Sequence, residues 1–214
     1  MFLRSKVKKM KINQKNNICE IITQMELSNE NNETNTIVNK GTGAGGSNTN
    51  KNGLPYEEMT ELKTEYTVMS VDKHHSVISF VKKSEQRFKM TKQGGFFKSM
   101  KAVVDKTIIK AHGCKNPDEC YIDEMAKRIF IIEKKFQQTT GSVCEKVQTS
   151  GFKVWQYDRT FPDYKIVYVY CLSDWFKDNC KAELEYLTYT NTPVFWGNDT
   201  NYKNKIIDFI INYK

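Results

Sequence analysis

Residues 117–137 read PDECYIDEMAKRIFIIEKKFQ, and the fold around them turns on how that stretch pairs with itself. Arg128-Ile129-Phe130-Ile131-Ile132 is a β-branched and aromatic run, too short for a helix and bounded by polar residues, which predicts a buried strand. Side chains alternate along a strand, so Ile129, Ile131, Glu133, Lys135 and Gln137 share one face while Phe130, Ile132, Lys134 and Phe136 share the other. If the preceding segment turns back around Met125-Ala126, antiparallel pairing sets Asp123 opposite Arg128 and Asp118 opposite Glu133, with paired Cα atoms roughly 5 Å apart. Two carboxylates and the Lys135 ammonium then occupy one patch.

Like charges directly opposite on a sheet repel, so an Asp118/Glu133 pair is a local defect unless a cation joins it. Carboxylate oxygens, waters and substrate phosphate are the ligands magnesium prefers. Lys135 would then either orient and help deprotonate an attacking water or stabilise charge developing on a phosphate. The acidic-x-Lys triplet alone says nothing, because the chain also contains Glu61-Leu62-Lys63 and Asp163-Tyr164-Lys165. Context separates the three: only Glu133 ends an apolar strand able to pair back onto an aspartate. The alternative is a solvated strand end.

Asn116-Pro117-Asp118, then Ile131-Ile132-Glu133-Lys134-Lys135-Phe136-Gln137, then the run at 141–149 resemble the core of PD-(D/E)xK nucleases, specifically type II restriction endonucleases. The segments at 43–57, 168–176 and 193–197 resemble further parts of such enzymes, so the likeness runs in order over residues 41–214. It implies an α/β fold, a mixed central β-sheet flanked by helices in a restriction-endonuclease-like core. It also implies Asp118 and Glu133 as ligands of Mg2+, as one ion or two, and Lys135 as the catalytic lysine. Glu57 matches the glutamate such families add from a helix ahead of the hairpin. Read as a helix over residues 55–66, that region has an apolar stripe of Met59, Leu62 and Tyr66, which puts Glu57 on the far face and leaves Glu58 as the alternative. The activity implied is sequence-specific hydrolysis of double-stranded DNA in a restriction-modification setting, by a homodimer, with a companion DNA methyltransferase acting on the same site. Two rival readings are a nonspecific or structure-specific repair or recombination nuclease, and a noncatalytic nucleic-acid-binding protein.

With 214 residues, 39% of them hydrophobic, the chain can bury one proper core. A net charge of +8 suits a polyanionic partner but is shared by RNA-binding and membrane-surface proteins. No apolar run approaches the ~20 residues that span a bilayer, and no signal core follows the basic start, so the expectation is a cytoplasmic protein without a membrane partner. The six cysteines lack any Cys-x-x-Cys pair and are expected to be reduced. His112, Cys114 and Cys120 have none of the usual zinc spacings, and three histidines give little support to histidine-based chemistry.

Three regions follow. Residues 1–27 are a basic segment, either an arm on the DNA backbone or a solvated stretch. Residues 28–52 hold eight Asn and four Gly and read as a loop or linker. Gly41-x-Gly43-x-x-Gly46 lies there without the flanking strand and helix of a dinucleotide site, whereas Asn48 and Thr49 could contact DNA, as could Gln137 beyond the strand. Residues 53–214 are the nuclease domain, with strands at 77–81 and 165–172, an amphipathic segment at 96–111, and helices at 142–160, 178–189 and 201–212.

Overall fold

The structure, a computed structural model, describes the backbone of residues 46–103, 113–139 and 142–214 and the side chains of residues 53–100, 113–139 and 142–214. All of these but Gly46 and Ser47 fall in one compact unit, Asn48–Lys214. The Gly41 and Gly43 positions, the basic segment and His112 lie outside the described residues.

Among the described residues, one seven-stranded mixed sheet runs in the order of the chain. Strands β1 (Tyr66–Val71), β2 (Ser76–Phe80), β3 (Phe88–Thr91), β4 (Glu119–Asp123) and β5 (Arg128–Lys135) pair antiparallel; β6 (Lys165–Leu172) and β7 (Val194–Trp196) continue parallel to β5. Parallel neighbours need a crossover. Helices α3 (Val143–Gln148) and α4 (Ser150–Thr160) connect β5 to β6, and α5 (Trp175–Asn179) and α6 (Lys181–Tyr189) connect β6 to β7. Helix α1 (Gly46–Met59) precedes the sheet, α2 (Gly95–Val103) follows β3, and α7 (Tyr202–Asn212) follows β7.

The alternation read from the sequence is the one that builds the core. Ile129 and Ile131 join β6 residues Tyr168, Tyr170 and Leu172 in a layer closed by Phe96, Val147, Tyr157, Phe176 and Leu187 from α2 to α6. Phe130 and Ile132 join Val167, Val169 and Cys171 in a second layer closed by Tyr56 of α1 and by Tyr202, Ile206, Ile207 and Ile210 of α7. Because β5 and β6 are covered on both faces, their apolar runs are continuous.

The hairpin register agrees with expectation, with Asp123 opposite Arg128 and Glu119 opposite Ile132. Its turn is held by the Asp123 carboxylate, which accepts the Ala126 N–H at 2.9 Å, and Lys127 closes it in the left-handed region at φ 53°.

Several boundaries differ from the sequence reading. Helix α1 starts at Gly46, inside the Asn/Gly-rich stretch, and stops at Met59 instead of reaching Tyr66. Residues 142–160 form two helices broken at Thr149, and 178–189 likewise divide around Cys180. Cys144 and Cys180 are joined in a disulfide rather than reduced, while Cys114, Cys120 and Cys171 are buried thiols outside any disulfide. No helix among the described residues is long and apolar enough to cross a membrane.

Candidate active site

Asp118 stands one residue before β4, and its register against β5 brings it to Glu133. Its Oδ2 accepts the backbone N–H of Lys134 at 2.9 Å, which fixes the carboxylate at the end of the hairpin. Lys135 reaches back over the same face: its Nζ lies 2.6 Å from Glu133 Oε1 and 3.6 Å from Asp118 Oδ2, and donates to the Lys134 carbonyl at 3.0 Å. The structure therefore brings together Asp118, Glu133 and Lys135 as the hairpin pattern requires.

Glu57 arrives from α1. Its carboxyl is pushed above the ordinary range by burial and by the Asp118 charge, against the pull of Lys134 and Lys135, and its backbone carbonyl accepts the Lys134 ammonium at 3.1 Å. The stripe of Met59, Leu62 and Tyr66 misplaced it. Tyr56 and Thr60 are buried while Met59 and Glu58 are exposed, so the docked edge of the helix runs beside Glu57. The docking depends on Gly197, where a Cβ would stand 2.2 Å from the Tyr56 hydroxyl and 2.6 Å from Thr60 Cγ2; only a bare backbone lets α1 approach that closely.

Lys153 of α4 is the residue that sequence reasoning missed. Its Nζ donates to Glu133 Oε1 at 2.9 Å. A clue was present: Ser150, Lys153, Tyr157 and Thr160 recur at helical spacing, Ser150, Tyr157 and Thr160 are buried, and a lysine within such a stripe has to reach a buried anion.

Burial alone would raise the Glu133 carboxyl, but Lys135 and Lys153 outweigh it and hold the group below its usual range. Asp118 is raised, first by burial, with Glu133 reinforcing the shift and Lys135, the Lys134 N–H and Lys153 opposing it without prevailing. Burial pulls the Lys135 ammonium down, yet Glu133 and Asp118 prevail and keep it protonated beyond its ordinary value.

The donor set suits a hard divalent cation. Glu133 Oε1, Asp118 Oδ2 and the Lys134 carbonyl already converge on one ammonium, all three are oxygens, and Glu133 is shared with a second ammonium, Lys153; the Asp118, Glu133 and Glu57 donor atoms do not all lie within 4.8 Å of one another. Cys144, Cys180 and Glu183 also converge, with donor atoms within 4.8 Å, but their two sulfurs are bonded to each other and offer no thiolate.

Asn48 and Thr49 belong to α1, and their side chains are outside the described ones. Gln137 donates its amide to the Thr139 carbonyl at 2.7 Å and its backbone N–H to Ser173 Oγ at 3.1 Å, bracing the exit of β5. On the outer side of α4, Phe152 (60% exposed) and Trp155 (52%) stack at 5.6 Å, and the Arg159 guanidinium lies 5.6 Å from the Trp155 ring.

No family model, curated protein or solved structure matches the chain.

Proposed function

We propose that the protein is a magnesium-dependent endonuclease that hydrolyses phosphodiester bonds of double-stranded DNA at a specific short sequence, on a restriction-endonuclease-like core. The observation that carries this reading is the convergence of Asp118, Glu133 and the Lys135 ammonium on one sheet face, with the three oxygens around that ammonium. Asp118, Glu133 and the Lys134 carbonyl would hold the ion, with Glu57 beside them. When bound, magnesium supplies a water of lowered pKa and positive charge for a phosphate oxygen.

The chain's own groups divide the remaining work. Once the Glu133 carboxylate is shared with a divalent cation, Lys135 and Lys153 present their ammoniums to the scissile phosphate and offset the negative charge that grows on it. Glu57 accepts a hydrogen bond from the attacking water and orients it. The net charge of +8 draws DNA to the surface, and the exposed Phe152–Trp155–Arg159 stack on the outer side of α4 offers planar groups to it. A palindromic target would be cut by a homodimer, one strand per site, with a companion methyltransferase protecting host DNA.

The test is incubation with a long unmodified DNA, with magnesium or with chelator, beside Lys135→Ala. Discrete fragments that need magnesium and fall by at least about a hundredfold in the variant are the expected result. A smear would replace the site-specific reading with a nonspecific nuclease, and salt-sensitive binding without cleavage would replace it with a binding protein. Trp155→Ala weakens DNA binding in a gel-shift assay without changing the fold; unchanged affinity removes the stack from the substrate path.

A further inference from the structure

Lys134, the middle residue of the Glu-Lys-Lys triplet, points away from the site and still acts on it. Its side chain is 3% exposed, and its Nζ lies 2.7 Å from Glu119 Oε2, itself 2% exposed. The other Glu119 oxygen accepts the Tyr121 hydroxyl. Taking two charges out of water costs several kcal/mol each, and apolar residues of similar volume would commonly be at least as stable there. A third contact distinguishes this pair from mere filling: Lys134 Nζ also donates to the Glu57 backbone carbonyl at 3.1 Å.

That carbonyl belongs to the last turn of α1, where carbonyls lack a partner within the helix and the helix dipole favours a cation. Thr60 Oγ1 donates to the same oxygen at 3.2 Å. The backbone N–H of Lys134, meanwhile, holds the Asp118 carboxylate. One residue thus clamps Asp118 through its main chain and the Glu57 segment through its side chain. An apolar side chain could fill the space but could not hold a carbonyl.

We propose that Lys134, aimed by Glu119 and Tyr121, is a positioning residue that fixes Glu57 against the Asp118/Glu133 cluster and thereby sets the affinity of that cluster for a divalent cation. This rests on reading the cluster as a cation site. Partners of this kind around a metal typically change affinity by about tenfold or more when removed.

The experiment measures Mn2+ binding by the full chain without nucleic acid, using the electron paramagnetic resonance signal of the free ion. Lys134→Met combined with Glu119→Leu removes both buried charges together and keeps the core filled; a cooperative thermal transition confirms its fold. The expected result is Mn2+ affinity lowered about tenfold. Glu57→Gln alone lowers it comparably, and the triple variant is no worse than either, because both changes act through one carboxylate. Wild-type affinity in the double variant, or losses that multiply in the triple, overturns the proposal. If the double variant does not fold, Glu119→Gln keeps the shape and loses the charge that aims Lys134; a lowered affinity supports the proposal and an unchanged one overturns it. Absence of Mn2+ binding by the wild type would instead sink the cation-site reading, and the positioning role with it.

Discussion

On one face of β5, Lys134 meets a single carboxylate at 2.7 Å and both side chains are sealed from solvent; on the other, Glu133 is shared between Lys135 and Lys153 at 2.6 and 2.9 Å, with Asp118 and Glu57 alongside. The first arrangement is charge-balanced, one cation to one anion, with a phenol on the remaining carboxylate oxygen. The second is unbalanced towards the carboxylates and reachable from solvent. Near its exit the strand thus carries two ionic groups on opposite faces. The closed one holds the end of α1 through the Glu57 carbonyl, and the open one is left able to receive something else.

Breaking the closed face has the largest effect. Lys134→Met leaves Glu119 buried without its cation and lowers the free energy of unfolding by about 3–5 kcal/mol in a denaturant titration. A loss below about 1 kcal/mol would show that water reaches the pair and that the contrast between the faces is weaker. Asp118→Asn probes the open face. Because the folded protein raises that carboxyl above its ordinary value, its negative charge is unfavourable in the fold near neutral pH, so removing the charge raises stability by up to about 1 kcal/mol in thermal unfolding while abolishing the magnesium-dependent cleavage proposed above. A marked loss of stability instead would make the cluster structural, like its neighbour across the strand.

The smallest effect belongs to an exposed pair that resembles neither face. Burial would raise the Glu61 carboxyl, but the hydrogen bond and charge of Lys92 hold it below its ordinary value. Stability from this pair is therefore present above the unfolded carboxyl pKa and is lost as pH falls through the folded value. Solvent screening keeps it under about 1 kcal/mol. Glu61→Gln removes that part of the acid-side slope when melts at neutral and acidic pH are compared, and an unaltered slope would mean the pair contributes nothing.

How far these features were legible depends on whether local pattern carries them. The β5 run fixes its own alternation, and the turn after Asp123 fixes the register, so the Asp118/Glu133/Lys135 convergence could be read directly. The same register sets Glu119 opposite Ile132, diagonal to Lys134, so the closed pair was legible too. Strand β1 was not, because residues after Tyr66 are exposed on both faces and show no alternation. Nor was β7, three residues long and half-buried throughout. The orientation of Glu57 depended on where α1 ends and on Gly197, which is 140 residues away. Lys153 announced itself only once the helix was known to break at Thr149, which resets the phase of the stripe. The Cys144–Cys180 bond joins the start of α3 to the break between α5 and α6, two crossovers that meet only in the folded sheet.

The seat that Gly197 provides for Tyr56 has a consequence for the order of assembly. During synthesis the hairpin that presents Asp118, Glu133 and Lys135 leaves the ribosome well before β7 does, yet α1 finds its final berth only when the bare backbone at Gly197 arrives beside Tyr56 and Thr60. A nascent chain at that intermediate length already has its aspartate and Glu-Lys-Lys strand but not yet a fixed Glu57. The seat for α1 exists only once the segment just after β7 has emerged, so a chain that stops before Gly197 lacks it.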